Sequence, residues 1–483
     1  MTRRTWFRLP HSGLFVSFLT VCATSLAGQT PGIKPQLPDA PRVSLLAFPP
    51  QGATVTPQVQ TQAAAVPTVS ATQSEHQRLT QSDAERLAIK NNPRVSVARL
   101  LALAQHQVVR ETRAALLPTG TASITAEEAE DASRISAGSL TASRLFTHLG
   151  GGGDFTQLIS DFGRTSNLVA SSRLQEKARN ADALATAEDI ILAADQAFFN
   201  ALEAQALLKV AEQNVDTRQT TQTQVNQLTN NKLKSSLDLS FADVTLSQAK
   251  LLLLDAQNNV DSTMAALDSV LGLDQQQTYD LALDDPTLTP PPADADQLLH
   301  LALQQRPDLQ ALSYSQQSEV KFSHAERDQI LPSISAAGTA GIVPIRPATY
   351  YLNNWWGGIG VNVTIPVFNG FLFSAQAKEA SIRAQADAEQ SRDLRDRIVR
   401  DVRTAWLASN TAYQKVAVTA ELLKEADLAL SLAQTRYRLG LSSIVELSQA
   451  QYQQTDAAIG NTNAQYQYRL ALSTLNYQIG ATP

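Results

Sequence analysis

Between Trp355 and Ala380 the spacing of apolar positions changes from one period to another. From Gly358 to Ile365 the residues alternate strictly, with Ile359, Val361, Val363 and Ile365 on one face and Gly358, Gly360, Asn362 and Thr364 on the other. This predicts a two-faced strand. Trp355 and Trp356 open it, and an apolar ring with a donor N–H suits the margin between lipid and water, where both are expected. Pro366 and Gly370 end the strand, and no further Gly or Pro occurs before Gly440. Within that run Leu394, Ile398, Val402, Ala405, Ala412, Val416, Leu423, Ala426, Leu430, Ala433 and Tyr437 recur at three- and four-residue steps or their sums. Such a seam predicts a coiled coil, lightly packed because so many members are alanine. A strand with one greasy face feeding a helix of this length predicts a pore with a helical extension. An edge strand of a soluble sheet is the plainer alternative.

The chain also repeats itself. Leu87, Ala88, Ile89, Pro93, Val95, Ala98, Leu117 and Pro118 match Leu301, Ala302, Leu303, Pro307, Leu309, Leu312, Leu331 and Pro332 at an offset of 214 residues, keeping 25 residues between the prolines. Asp161-Phe162-Gly163 faces Phe368-Asn369-Gly370 at offset 207, and Asp238, Leu239, Ala242, Ala249, Leu267 and Gly272 face Glu446, Leu447, Ala450, Ala457, Leu475 and Gly480 at offset 208. Two repeats, 79–283 and 294–480, joined by a Pro-rich linker at 284–293, each read as helix, β-hairpin, very long helix, break and medium helix. The long helices, Arg164 to about Asn230 and Phe371 to about Leu439, would each run roughly 100 Å. The shorter helices at about 236–272 and 295–330 would run roughly 55 Å each, so that two stacked end to end match a long one. The first hairpin falls near 119–160, where Ala122, Ile124 and Ala126 alternate with Thr121, Ser123 and Thr125 before the glycines at 150–153.

Composition changes the picture at the N-terminus. Arg3, Arg4 and Arg8 precede an apolar run from Leu14 to Val21, and Ser25 and Ala27 supply a small-residue cleavage site, so residues 1–27 read as an export signal. Cys22 is the only cysteine; Val21 before it disfavours a lipoprotein signal, and cleavage after Ala27 is favoured over lipidation. Residues 28–78, with eight prolines, read as a disordered tether. Losing residues 1–27 takes the formal net charge from −6 to −9, an unsuitable balance for a nucleic-acid binder. No run of about 18 apolar residues follows the signal, so a membrane crossing would require a closed β-barrel. The six histidines are scattered without metal-ligand spacing. Asp161-Phe162-Gly163 matches a kinase magnesium motif only in its letters, and the glycines at 150–153 lack the Lys-Ser or Lys-Thr of a phosphate loop. No enzyme chemistry and no cofactor is implied.

An exported chain with two copies of this plan resembles the TolC-like outer membrane factors. The resemblance spans about residues 79–480. It rests on the Asn92-Pro93 and Arg306-Pro307 turns, the Leu117-Pro118 and Leu331-Pro332 strand entries and the Ile365-Pro366-Val367-Phe368-Asn369-Gly370 exit. To these it adds Arg436-Tyr437-Arg438-Leu439-Gly440 followed by Ser443, Glu446, Leu447 and Ala450. The resemblance implies a mixed, mainly α fold: a long coiled-coil α-helical barrel continuous with a transmembrane antiparallel β-barrel. Three chains would share that β-barrel, each giving four strands. It further implies a homotrimer in outer membrane lipid, passing substrate from a periplasmic adaptor and an inner-membrane transporter to the exterior.

Matching the tip motif places Glu446 and Gln449 at the pore constriction, with Gln449 departing from the acidic residue of the family. It pairs Tyr437 with Asp238 through a closing hydrogen bond, and sets Ser442 where the family has an arginine. Leu439, Gly440, Ser443, Lys232 and Ser235 would form the tips that dock the adaptor. Glu446 and Asp238 have a second reading, as acids that begin returning helices and favour the helix dipole. The rival to the whole picture is a periplasmic coiled-coil adaptor or scaffold without a pore, which leaves the two hairpins and the duplication unexplained.

Overall fold

The computed structural model describes residues 77–127, 134–135, 143–144, 148–273, 279–284, 286–342 and 355–481. The expected signal segment with Cys22, and the expected tether up to residue 76, lie outside them. In chain order the elements are β1 (Gln77–Thr80), α1 (Gln81–Asn91), α2 (Pro93–Ala114), β2 (Thr119–Glu127), β3 (Arg134–Ile135), β4 (Ser143–Arg144), β5 (His148–Ser160), α3 (Arg164–Asn230) and α4 (Ser236–Leu271). Then follow β6 (Tyr279–Ala282), α5 (Ala295–Gln305), α6 (Pro307–Asp328), β7 (Ser333–Ile342), β8 (Trp355–Thr364), α7 (Leu372–Arg438) and α8 (Ile444–Ile479). Helix lengths recur in order: 11 residues for α1 and α5, 22 for α2 and α6, 67 for α3 and α7, 36 for α4 and α8.

Local chemistry sets these bounds. Asn92 and Arg306 hold extended ψ values of 124° and 121° because each precedes a proline, whose ring excludes the helical region for its predecessor. The helix expected as one piece over 295–330 is therefore two, α5 and α6. The prolines sit in the first turn of the next helix, where a missing N–H costs nothing. Asp161 starts α3: its carboxylate accepts from Thr165 N at 2.7 Å and Thr165 Oγ1 at 2.5 Å.

The medium helices stack differently from the expected pairing of 236–272 with 295–330. Gly272 ends α4 at φ +69°, and a Cβ there would lie 3.0 Å from the Asn91 backbone; Asn92 Nδ2 donates to Val270 O at 3.2 Å. Gly480 ends α8 at φ +70° with a Cβ position 3.2 Å from Arg306 N, and Arg306 Nη1 donates to Gln478 Oε1 at 2.7 Å. Each medium helix thus abuts the proline break of its own half, and glycine is required both for the left-handed turn and for the close approach.

Three apolar clusters hold the helices. The largest joins Leu79, Ala88, Val95, Phe198, Phe199, Leu267, Leu271, Tyr279 and Leu281; a second joins Leu298, Leu309, Ile398, Val402, Leu475 and Ile479. The third lies at the α3–α4 and α7–α8 turns. In the first, β1 and β6 form a parallel pair with Leu79 opposite Leu281, a feature without an alternating sequence long enough to announce it. Every member of the α7 seam read from the sequence is buried or half-buried.

β2, β5, β7 and β8 form one antiparallel sheet in that order, leaving β2 and β8 as its edges. Its register carries one chemistry across each face. Trp355, Ile342, Gly151 and Ile124 form one row, and Ile359, Gly338, Phe155 and Gly120 another. With Val361 and Val363 they make an exposed apolar face; Ile359 is 91% exposed. The alternate rows are small or polar: Gly358, Thr339, Asp154 and Thr121, then Gly360, Ala337, Thr156 and Thr119. The ten residues of β8 extend roughly 34 Å, or about 25 Å when tilted as barrel strands are.

α1 docks on α3 through a pair of carboxyls. Gln81 Nε2 donates to Glu85 Oε1 and to Asp195 Oδ1, each at 3.0 Å, and Asp195 is buried. Burial, then the charge of Asp195, pushes the Glu85 carboxyl up to about 7, and burial raises Asp195 as well. Raised acids favour the protonated native state, so the stability linked to this pair is greatest below the ordinary glutamate range and is lost as pH rises through about 7. Protection of α1 amides in hydrogen exchange, corrected for intrinsic chemistry, is expected to fall between about pH 5 and pH 8, and Glu85→Gln to flatten that slope. An unchanged slope in the variant contradicts the assignment.

Candidate functional site

The two helix-to-helix turns have the same geometry. In the first, Lys232 takes φ +59° and Leu233 N donates back to Leu228 O at 2.9 Å; in the second, Gly440 takes φ +73° and Leu441 N donates to Arg436 O at 2.8 Å. Ser235 and Ser443 then cap the returning helices, accepting from Asp238 N at 3.2 Å and Glu446 N at 3.3 Å. Leu439, Gly440, Ser443, Lys232 and Ser235 are all exposed. Leu233 and Leu441 join them, both more than two-thirds exposed at 69% and 67%; single residues in polar turns gave no periodic signal by which to find them.

Beneath the turns, Val225, Leu239, Ala242, Leu430, Ala433, Tyr437, Ile444, Leu447 and Ala450 form the apolar cluster that ties the α3–α4 hairpin to the α7–α8 hairpin. Tyr437 is central to it. Its ring is buried, Lys234 Nζ lies 4.5 Å from the ring centroid, and burial followed by the charge of Asp238 raises its phenol. The hydrogen bond expected between Tyr437 and Asp238 is not made: Tyr437 Oη is buried without a partner, and Asp238 Oδ2 accepts from Ser235 N at 3.1 Å and Ser235 Oγ at 3.0 Å. A local capping box three residues away takes the carboxylate before the distant phenol can. Ser442 Oγ is likewise buried without a partner.

Glu446 lies in the first turn of α8 and meets Arg436 Nε at 3.1 Å, with both side chains about half exposed. Both acids therefore serve as first-turn residues of returning helices. Gln449 is exposed one turn further on.

At the sheet, the two tryptophans part company. Trp355 stands in the apolar rows, two-thirds exposed, but Trp356 stands in the polar rows, its indole 2.8 Å from where a Cβ on Gly341 would lie and 3.5 Å from one on Gly152. Adjacent strand residues point to opposite faces, so only one of the pair can sit at the apolar margin. The other end of the apolar face carries aromatics that the sequence reading passed over: Phe162, Phe368 and Phe371, all exposed, with Phe368 and Phe371 edge to face at 5.8 Å. Phe162 and Phe371 hold φ of +54° and +66° at the strand-to-helix turns. Bulky residues in left-handed backbone are strained. Among the described residues no helix is long and apolar enough to cross a membrane.

Comparison with known proteins agrees with this architecture. The family model for outer membrane efflux proteins matches residues 85–273 and 298–481. The chain is 23% identical over 336 residues to the outer membrane protein TolC of Salmonella enteritidis, covering 67% of each, and 26% identical over 344 residues to TolC of Vibrio cholerae, covering 65% of this chain and 73% of that one. The crystal structure of the Campylobacter jejuni CmeC outer membrane channel superposes with a TM-score of 0.73 at 18% identity, covering 83% of this chain and 85% of CmeC. VceC of Vibrio cholerae gives 0.70 at 17% identity, covering 83% and 96%. With more than half of its length matched in the same order in both halves, this chain belongs to the outer membrane efflux protein family as a TolC-like protein of the outer membrane.

Proposed function

We propose that three copies of this chain close a β-barrel and a helical tube that conduct substrate passively outward, supplied by a periplasmic adaptor and an inner-membrane transporter. One observation carries the reading. A four-stranded sheet with an apolar face and a polar face, both edges open, runs directly into 67-residue helices. An open edge in hydrocarbon leaves N–H and C=O groups without partners, so further strands must close it. Four strands from each of three chains give the twelve expected of the family, and the two halves of each chain act as structural repeats.

The helices support the same assembly. On α4, Leu237, Val244 and Leu251 recur at seven residues and are exposed beside Phe241; on α7, Leu407, Val418, Leu422 and Leu432 are exposed. A seven-residue apolar stripe on α4 and exposed apolar residues on α7, left bare in one chain, fit the seams of a coiled coil between chains. The exposed turn leucines, Leu233, Leu439 and Leu441, with Gly440, Lys232, Ser235 and Ser443, are the surface we assign to adaptor docking. Gln449 and Glu446 would face the axis at the constriction, and Tyr437 acts as an apolar bolt there rather than through a hydrogen bond to Asp238.

Purified protein is expected to run as a heat-modifiable trimer and to form channels in a planar bilayer. Val244→Glu should shift it toward monomer while circular dichroism keeps its helical signal. A soluble monomer that forms no channel would support the scaffold reading instead. For the bolt, Tyr437→Phe should leave closed-state conductance unchanged, because the hydroxyl has no partner to lose, whereas Tyr437→Ala removes packing of about 3–5 kcal/mol and should raise open probability. Equal opening by both variants would restore the hydrogen bond as the lock.

A further inference from the structure

Apart from Glu127 and His148 at the outer margin of the sheet, Asp154 is the only charged or titratable residue in β2, β5, β7 and β8. It stands near the middle of β5, in a polar row, with Gly358, Thr339 and Thr121. The carboxylate is exposed on that face, and its rotamer is set from both sides: Thr121 Oγ1 on β2 donates to Oδ2 at 3.0 Å, and Thr339 Oγ1 on β7 donates to Oδ1 at 3.4 Å. Beside it lies an open cleft of about 710 Å³ lined by Thr156, Gly358, Gly360 and Asn362. Nothing approaches within 4 Å of a Cβ placed on Gly358 or Gly360, so the cleft is not filled by the chain itself.

The charge therefore stands fixed, held only by neutral hydroxyls. The acid at the helical turns is different, since Glu446 already meets the guanidinium of Arg436 at 3.1 Å. An ion pair cancels much of the field that a lone carboxylate would project.

We infer that Asp154 is a cation-selectivity determinant of the channel, three copies forming a ring of carboxylates inside the strand barrel that admits small cations and disfavours anions. This rests on the pore reading above, which turns the polar rows toward the lumen. A ring of fixed carboxylates raises the local cation concentration, and its reach is set by the Debye length, about 10 Å at 0.1 M salt and 3 Å at 1 M. Selectivity from Asp154 is accordingly strong in dilute salt and fades in concentrated salt.

The test is the reversal potential of the purified trimer in a planar bilayer under a KCl gradient, measured at low and high mean concentration for wild type, Asp154→Asn, Asp154→Lys and Glu446→Gln. Asparagine keeps the shape, its Oδ1 accepting from one threonine hydroxyl while its Nδ2 donates to the other, and a heat-modifiable trimer band certifies assembly of each variant. The expected result is a potassium-to-chloride permeability ratio lowered about twofold or more by Asp154→Asn at 0.1 M, inverted toward anions by Asp154→Lys, and lowered less by Glu446→Gln. Conducting Asp154→Asn and Asp154→Lys trimers with wild-type ratios overturn the inference and leave the pore standing. Wild-type protein that forms no channel overturns the pore reading and the inference together.

Discussion

A strand in hydrocarbon has no water to satisfy its backbone, and that constraint orders everything else in this chain. The sheet β2–β5–β7–β8 has every internal strand paired and two edges that are not. Each unpaired group at such an edge costs several kcal/mol in lipid. In the proposed barrel the apolar rows through Ile359 and Trp355 face lipid, and the edges with them. On that reading the sheet of a single chain needs partner strands, and the exposed apolar residues on α4 and α7 fit the same requirement in the helices.

The passage from sheet to helix is where the chain accepts strain. Phe162, Gly163, Gly370 and Phe371 all take positive φ between the last strand residue and the start of the long helix. Two of the four are phenylalanines, exposed beside the apolar face. The turn that redirects a strand into a helix thus carries exposed aromatic rings in left-handed backbone, against the ordinary preference for glycine there. At the opposite helix ends the balance is different: the turns use short capping serines, and the apolar cluster around Tyr437, rather than a specific polar lock, joins the two hairpins.

Charge is distributed with similar economy. Asp238 is spent on a capping box and Glu446 on Arg436. Glu85 and Asp195 share a buried place under α1, where ionisation works against docking. Asp154, in the middle of β5, keeps a carboxylate on an exposed face, held by the hydroxyls of Thr121 and Thr339.

Sequence by itself determined the elements. Strict alternation from Gly358 to Ile365 located β8, the absence of Gly and Pro between Gly370 and Gly440 located α7, and the duplicated prolines and glycines marked the ends of helices in both halves. These features act within a turn or a few residues, where steric limits on the backbone and the period of side-chain direction decide the outcome. Tertiary structure decided the partners. It placed α4 against Asn91 and Asn92 instead of the helices that follow it in sequence, and paired β1 with β6 across some two hundred residues. Each of those choices depends on which distant surface packs closest, a property of the assembled core that no local pattern encodes.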